Sequence, residues 1–266
     1  QYNADILLLT NFEFDHPDIF SSLEEMQDEF RQLIGNLPDD GLAVYNADSA
    51  ALAHLMHESN VGQVSFAIQN PADFVAAEIE YTSQGTQFSV VRTKAEGNTT
   101  QESYQTNLFG EMNVYNALAV ISLLRTLGFS REDVQEGLRS YFGVKRRFEL
   151  IGEKDGVTVY DDYAHHPTAV NETLKTARLK FPDRKIWAVF EPHTYSRTEA
   201  TLPEFAIAFD PADEILIAEI YPAREKKLSQ SITGQQVVDE VSKRHKQVRL
   251  VESKEDALKL LKAELK

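Results

Sequence analysis

The chain has no cysteine among its 266 residues. Disulfides, thiolate metal sites and a cysteine nucleophile are therefore excluded, and a thiol-free chain suits a reducing, cytoplasmic compartment. No apolar run approaches the roughly 20 residues that a bilayer-spanning helix needs. The opening QYNADILLLTNFEFDH has no basic leader, and its apolar run is too short for a signal-peptide core, so no membrane partner is expected. Positive charge is scarce as well: 27 Lys and Arg stand against 42 Asp and Glu, a formal net charge of −15. Nucleic acid is not expected as a partner, because such a surface needs a basic face to displace counterions. Three motifs are missing too: the GxxxxGK[ST] phosphate loop, the GxSxG nucleophile elbow and the GxGxxG dinucleotide fingerprint.

What is present is enough to build a core. The hydrophobic fraction is 42%, normal for a soluble globular chain, and the length allows one large domain or two ordinary ones. Ile6–Leu9 reads as a buried strand, and Leu23, Met26, Phe30, Leu33 and Ile34 recur at helical spacing until Asn36-Leu37-Pro38 and Gly41. Leu42–Tyr45 is a second strand. Alternating β-rich runs fill 64–104, separated by turn signals such as SQG and EGN. Asn113–Leu127 is a strong helix ended by Gly128. Arg131–Tyr141 is another, with Ser130 as its N-cap and Asp133 three residues on. Beyond Gly143 the pattern changes. Strand-like VTVY (157–160), IWAVF (186–190), EILIA (214–218) and VRLVE (248–252) alternate with helical stretches at 167–180, 199–209, 233–245 and 254–265. That alternation predicts a parallel sheet of doubly wound type, with a domain boundary near Gly143–Arg147.

Five clusters carry more chemistry than turns require. Asp15, His16 and Asp18 follow the first strand, where open α/β sheets bind ligands. An Asp-His pair there could hold a divalent ion or orient a phosphate; alternatively Asp15 and Asp18 cap a turn and His16 packs. Asn113 and Asn116 lie three apart at a helix start, suited either to a purine edge or ribose or to N-capping. Lys145-Arg146-Arg147 could clamp an anion or be a solvated basic run. Asp161-Asp162-Tyr163-Ala164-His165-His166 sits on a strand-to-helix loop before Pro167, itself well placed in a first helical turn. Zinc is the rival reading there, but adjacent His side chains diverge. His193, Tyr195 and Arg197 follow the next strand, and Arg197 could hold a carboxylate or phosphate with both arms of its guanidinium.

In this order and spacing, TNFEFDH, NVYNALAV, GVKRRFE, YDDYAHHPT and FEPHTYSRT resemble the Mur ligase family over nearly the whole chain. The last two are most similar to the branch that joins L-alanine to UDP-N-acetylmuramate. A related branch attaches a tripeptide to the same nucleotide sugar; it often carries the same DD(Y/F)AHHPT but departs from PHTYSRT, while FEFDHPDIF leans toward it. A non-catalytic nucleotide-sugar-binding remnant is a further alternative.

The resemblance implies an α/β fold. Residues 1–144 would be the later part of a central P-loop-type ATPase domain, and residues 145–266 a Rossmann-like C-terminal ligase domain. The family's phosphate loop and magnesium-binding Glu would lie upstream, and a further strand with a GAGD-type turn beyond Lys266. The chain is accordingly expected to be trimmed at both ends, to lack the N-terminal part of the same enzyme, and to be inactive alone. ATP and Mg²⁺ are the implied cofactors, with UDP-N-acetylmuramate and L-alanine as substrates.

Site residues follow from the same resemblance. His16 would belong to the magnesium and acyl-phosphate site. Asn113 and Asn116 would contact the adenine, next to Met112 where the family often has His. Arg147 and Arg146 would reach the nucleotide from the hinge. Asp162 would bind the ATP ribose and His165 the phosphate side. Tyr163, His193 and Arg197 would face the nucleotide sugar and the amino acid, beside Thr194 where some relatives have Arg. The catalytic set implied is His16, Arg147 and His165.

Overall fold

The computed structural model describes residues 4–17, 19–93, 97–226 and 231–265. Asp18 and Glu96 of the EGN turn lie outside the described residues. The chain divides into two compact units: residues 1–14 with 20–142, and residues 15–19 with 143–266.

The first unit is a six-stranded sheet in the order β1-β2-β3-β4-β5-β6. Its strands are β1 (Ile6–Leu9), β2 (Leu42–Asn46), β3 (Gly62–Ala67), β4 (Phe74–Thr82), β5 (Gly85–Thr93) and β6 (Thr99–Thr106). The first four run parallel, and β4, β5 and β6 form an antiparallel meander. Helices α1 (Leu23–Gly35), α2 (Ala50–His57), α3 (Glu111–Thr126) and α4 (Arg131–Ser140) complete the unit. In β2 the neighbours Ala43 and Val44 are both buried, each in a different cluster. Ala43 packs with Ile34, Leu52, Leu55 and Met56 of α1 and α2, and Val44 with Val114, Leu118 and Ile121 of α3. Alternate side chains point to opposite faces, so β2 must be covered on both.

Most expected elements form. Ser130 caps α4 through a reciprocal capping box with Asp133. Helix α2 carries no sequence signature, because its eight residues are too few and too apolar to show a helical stripe; Ser49 accepts from the Leu52 amide and starts it.

In the second unit the strands are β7 (Glu149–Lys154), β8 (Val157–Asp161), β9 (Trp187–Phe190), β10 (Glu214–Ala218) and β11 (Val248–Val251). The helices are α5 (Pro167–Lys180), α6 (Tyr195–Ala200), α7 (Phe205–Ala208), α8 (Gly234–Val241) and α9 (Lys254–Glu264). Strands β11-β10-β9 form a parallel sheet. Ile215 and Ile217 of β10 pack with α5, α7 and α8, and Leu216 packs with Val251 and Ala257 on the other face. That is the doubly wound layering expected.

Two expectations change here. The single helix over 199–209 is instead α6, a 3₁₀ turn at Leu202–Glu204 and α7. Pro203 has no N–H to donate and clashes with a continuing helix, so α6 ends at Ala200 and Pro203 falls in the first turn of the 3₁₀ segment that follows. VTVY does not join the parallel alternation: β8 pairs only with β7, as an antiparallel hairpin closed by Asp155-Gly156, both with positive φ. Asp-Gly favours such a turn, so this hairpin was legible. The remaining edges of β8 and β9 carry no strand partner among the described residues, and both strands line a cavity of about 570 Å³ together with α5 and α9.

Two measurements check this fold. Amides on the unpaired edges of β8 and β9 should exchange with solvent faster than those of β10, which is paired on both sides. In the first unit, the Asp48 carboxylate accepts from the amides of Ile68, Gln69 and Asn70 and from the Tyr115 hydroxyl, at 2.6, 3.0, 2.8 and 2.8 Å. Burial works to raise its pKa, but these donors outweigh burial and hold it below the usual carboxylate value. Asp48→Asn should cost about 2 kcal/mol in urea unfolding near pH 7. A depressed carboxylate stabilises the fold above its unfolded pKa and loses that contribution as pH falls through the folded value. The difference between Asp48→Asn and the parent should therefore shrink below about pH 4.

Candidate functional site

In the second unit the loops that leave β8, β9 and β10 gather polar groups. Carboxyl ends of strands are where open α/β sheets present ligand-binding side chains, since the loops there are free of the packing that fills the strands.

Arg197, the third residue of α6 after its N-cap Thr194, is 7% exposed. Its Nε donates to Asp15 Oδ1 at 2.7 Å and its Nη1 donates to the His193 carbonyl at 3.0 Å. A buried guanidinium is tolerated only with such partners. Nη2 has no hydrogen-bond partner among the described residues. Burial works to raise the Asp15 carboxyl, but the Arg197 bond and the His16 amide at 2.7 Å hold it below the usual range. His16 is exposed and has a left-handed backbone, φ 58°.

A ladder of rings runs beside Arg197. Tyr163 meets His165 edge-on at 5.4 Å, His165 lies 6.0 Å from His193, and His193 stacks on Tyr221 at 5.4 Å. The Arg146 guanidinium sits 4.7 Å from the Tyr163 ring, a cation–π contact, and pairs with Asp161 at 3.2 Å.

His165 Nδ1 lies 2.9 Å from the Tyr163 carbonyl, which can only accept, so Nδ1 carries the proton and Nε2 the lone pair. Burial pushes the His165 pKa down, helped by Arg197 and His193 and opposed by the Tyr163 carbonyl and Asp15. The ring is neutral at neutral pH, with an acceptor rather than a donor at Nε2.

The turn of Arg146, Arg147 and Phe148 is locked onto the same loop. Arg146 and Phe148 both take left-handed backbone, φ 58° and 49°, which costs energy for non-glycine residues and persists only when surrounding bonds enforce it. The Phe148 amide donates to Asp162 Oδ2 at 2.7 Å, the Ala164 amide to Asp162 Oδ1 at 2.7 Å, and the Tyr163 amide to the Arg146 carbonyl at 2.8 Å. Arg147, between the two strained residues, is exposed.

The structure thus gathers Asp15, Arg146, Asp162, Tyr163, His165, His193 and Arg197 on the second unit. Asn113 and Asn116 belong to the first. Gly110 is the N-cap of α3, so Asn113 is not a cap; its Nδ2 reaches back to the Phe109 carbonyl at 2.7 Å, while Asn116 and Met112 are exposed. Tyr221 and Glu225 were missed, although Tyr-Pro-Ala-Arg-Glu follows EILIA just as the two recognised loops follow their strands. Mg²⁺ does not fit these residues alone. Among the described residues no group of three or more His, Asp or Glu could hold a metal ion, and the carboxylate beside His16 is committed to Arg197. No helix among the described residues is long and apolar enough to cross a membrane.

Fold and site define an α/β protein that presents directed polar groups at the carboxyl ends of its strands. Residues 1–124 match the Mur ligase middle domain and residues 146–266 the Mur ligase glutamate ligase domain. A UDP-N-acetylmuramate–L-alanine ligase of Desulfitobacterium hafniense is 38% identical over 257 residues, covering 96% of this chain and 56% of its own. The structure of a UDP-N-acetylmuramate–alanine ligase of Thermotoga maritima aligns with TM-score 0.73 and 27% identity, over 95% of this chain and 52% of that one. A murein peptide ligase of Psychrobacter arcticus aligns with TM-score 0.65 and 26% identity, over 100% and 53%. The chain belongs to the Mur ligase family, and it spans about half the length of the curated relatives it matches.

One prediction concerns His165. In ¹H–¹⁵N spectra it should titrate below the ordinary histidine value, with Nδ1 protonated in the neutral form. The sign follows from linkage: a depressed folded pKa means the unfolded chain binds more protons near pH 6. His165 should therefore destabilise the second unit as pH falls from about 7 to 5, and His165→Gln should flatten that slope.

Proposed function

We propose that this chain is the ATP- and acceptor-handling part of a ligase that joins L-alanine to the lactoyl carboxylate of UDP-N-acetylmuramate in peptidoglycan precursor synthesis, a cytoplasmic reaction. The observation that carries the reading is the 38% identity to an L-alanine ligase across 257 residues. The Arg197 site adds a chemical reason. A carboxylate is a poor acyl donor because its leaving group would be oxide. Transfer of the γ-phosphoryl of ATP to that carboxylate gives an acyl phosphate; the amine of L-alanine attacks its carbon and inorganic phosphate leaves. Such chemistry needs positioned donors and exclusion of water rather than a nucleophilic side chain, and a cysteine-free chain has no difficulty with it.

Each residue then has a role set by its surroundings. Asn113 and Asn116 face the adenine; Asp162, with Arg146 and Arg147, holds the ribose and nucleotide. The Asp162 oxygens, each taking one amide, keep a second lone pair for ribose hydroxyls. Arg197 offers Nη2 to an anionic oxygen of the nucleotide sugar or amino acid, flanked by Tyr163 and His193. His165 is assigned to the reacting centre, where a neutral ring with a lone pair at Nε2 suits the incoming amine better than a phosphate oxygen. His16 contributes to the Mg²⁺ and acyl-phosphate site together with ligands that these residues do not supply. The tripeptide-accepting branch remains the second reading, favoured by the alignment with a murein peptide ligase.

Three results test the reading, the first two in a full-length ligase carrying this chain. Asp162→Ala should raise the KM for ATP more than that for L-alanine; movement of the L-alanine KM alone would refute the ribose assignment. Arg197→Lys keeps the charge but not the planar fork, and should cut turnover about 100-fold with circular dichroism unchanged. The chain by itself should release no phosphate from ATP with both substrates present, because it contains no phosphate-loop sequence to cradle the β- and γ-phosphates. Assay with L-alanine against the tripeptide separates the two acceptor readings.

A further inference from the structure

The segment that carries His193 and Arg197 is held from behind by a loop that neither the sequence motifs nor the proposed roles include. Thr194 is the N-cap residue of α6, yet its side chain makes no capping hydrogen bond. The amide of Ser196 instead donates to Glu225 Oε2 at 3.1 Å, and the Ser196 hydroxyl donates to Glu225 Oε1. The Thr194 hydroxyl lies 3.3 Å from the Ser196 hydroxyl. Glu225 is half-buried, and both its oxygens are occupied by its own fold.

The same loop makes a second attachment. The Tyr221 amide donates to the Pro192 carbonyl at 2.8 Å, Tyr221 and His193 form a parallel bridge, and the Tyr221 ring stacks on His193 at an interplanar angle of 20°. Between these attachments Ala223 takes a left-handed turn, φ 51°, and the Glu225 amide donates to the Pro222 carbonyl at 2.9 Å. Residues 221 and 225 therefore grip 192–196 at both ends, one by stacking and a strand-like bond, the other by a carboxylate at the start of the helix that bears Arg197.

We propose that Glu225 is a positioning residue: it replaces the missing Thr194 cap, fixes the first turn of α6, and so sets where Arg197 Nη2 and the His193 ring meet the anionic substrate. This rests on the reading that Arg197 and His193 face substrate. Glu225 touches no reacting atom.

The test uses two preparations. In the chain itself, Glu225→Ala should speed solvent exchange of the Ser196 amide by about tenfold or more, while amides of β10 stay protected. In a full-length ligase carrying this chain, Glu225→Ala should raise the KM for UDP-N-acetylmuramate or L-alanine roughly 10- to 100-fold and leave the KM for ATP unchanged. Glu225→Gln, which still accepts from the Ser196 amide, should recover most of the loss. Ser196 exchange unchanged in Glu225→Ala overturns the proposal. So does a failure of Glu225→Gln to recover activity while Ser196 stays protected, which would make the carboxylate charge a substrate contact. Arg197→Lys is run beside these variants. If it is fully active, the reading of the site fails; if it is crippled while Glu225→Ala is normal, only the positioning role fails.

Discussion

A guanidinium nearly out of water must be paired, and the second unit is arranged around that requirement at Arg197. Asp15 supplies the counter-charge, the His193 carbonyl supplies a second acceptor, and together they leave Nη2 without a partner among the described residues. Breaking such a pair by removing one partner is far more costly than the pair is stabilising, because an uncompensated charge stays buried. The residues from 15 to 19 group with the second unit although the strand before them belongs to the first, and the Asp15–Arg197 bond is one of the attachments that holds them there.

The neighbouring contacts follow from the same economy of donors and acceptors. His165 is kept neutral because its ring is partly buried beside a cation, and its tautomer is fixed by a carbonyl that can only accept. Asp162 ties the strained Arg146–Phe148 turn to the β8 loop through backbone amides. Rigid backbone bonds, rather than side-chain packing alone, place these groups. Catalytic geometry tolerates little slack, so such bonding suits the substrate-orienting role proposed for these residues.

Much of the element order was legible because periodicity survives without context. Leu23, Met26, Phe30, Leu33 and Ile34 announce α1; Ser130 with Asp133 announces the start of α4; the run ILIA (215–218) is continuously apolar because β10 is covered on both faces. Helix α2 was not legible by stripe, since a short helix of mostly apolar residues has no polar face to contrast. Pro203 was in plain view but was overruled by the surrounding pattern, and the chain obeyed the proline. Tyr221 and Glu225 lay at the same strand-end position as the recognised loops; without a dense run of His and Asp they gave no comparable signal.

The sequence by itself determined the class of fold, the family and the identity of the polar side chains near the strand ends, because alternation of apolar residues and ordered motifs are properties of the linear chain. Only the tertiary structure decided which of those side chains meet. That β8 leaves the parallel sheet for a hairpin with β7, that Arg197 is paired with Asp15, separated by 182 positions, and that Glu225 caps α6 in place of Thr194 depend on long-range packing. Hydrogen-bond partners are chosen by whichever donors and acceptors burial brings within about 3 Å, and that proximity depends on how the whole core packs.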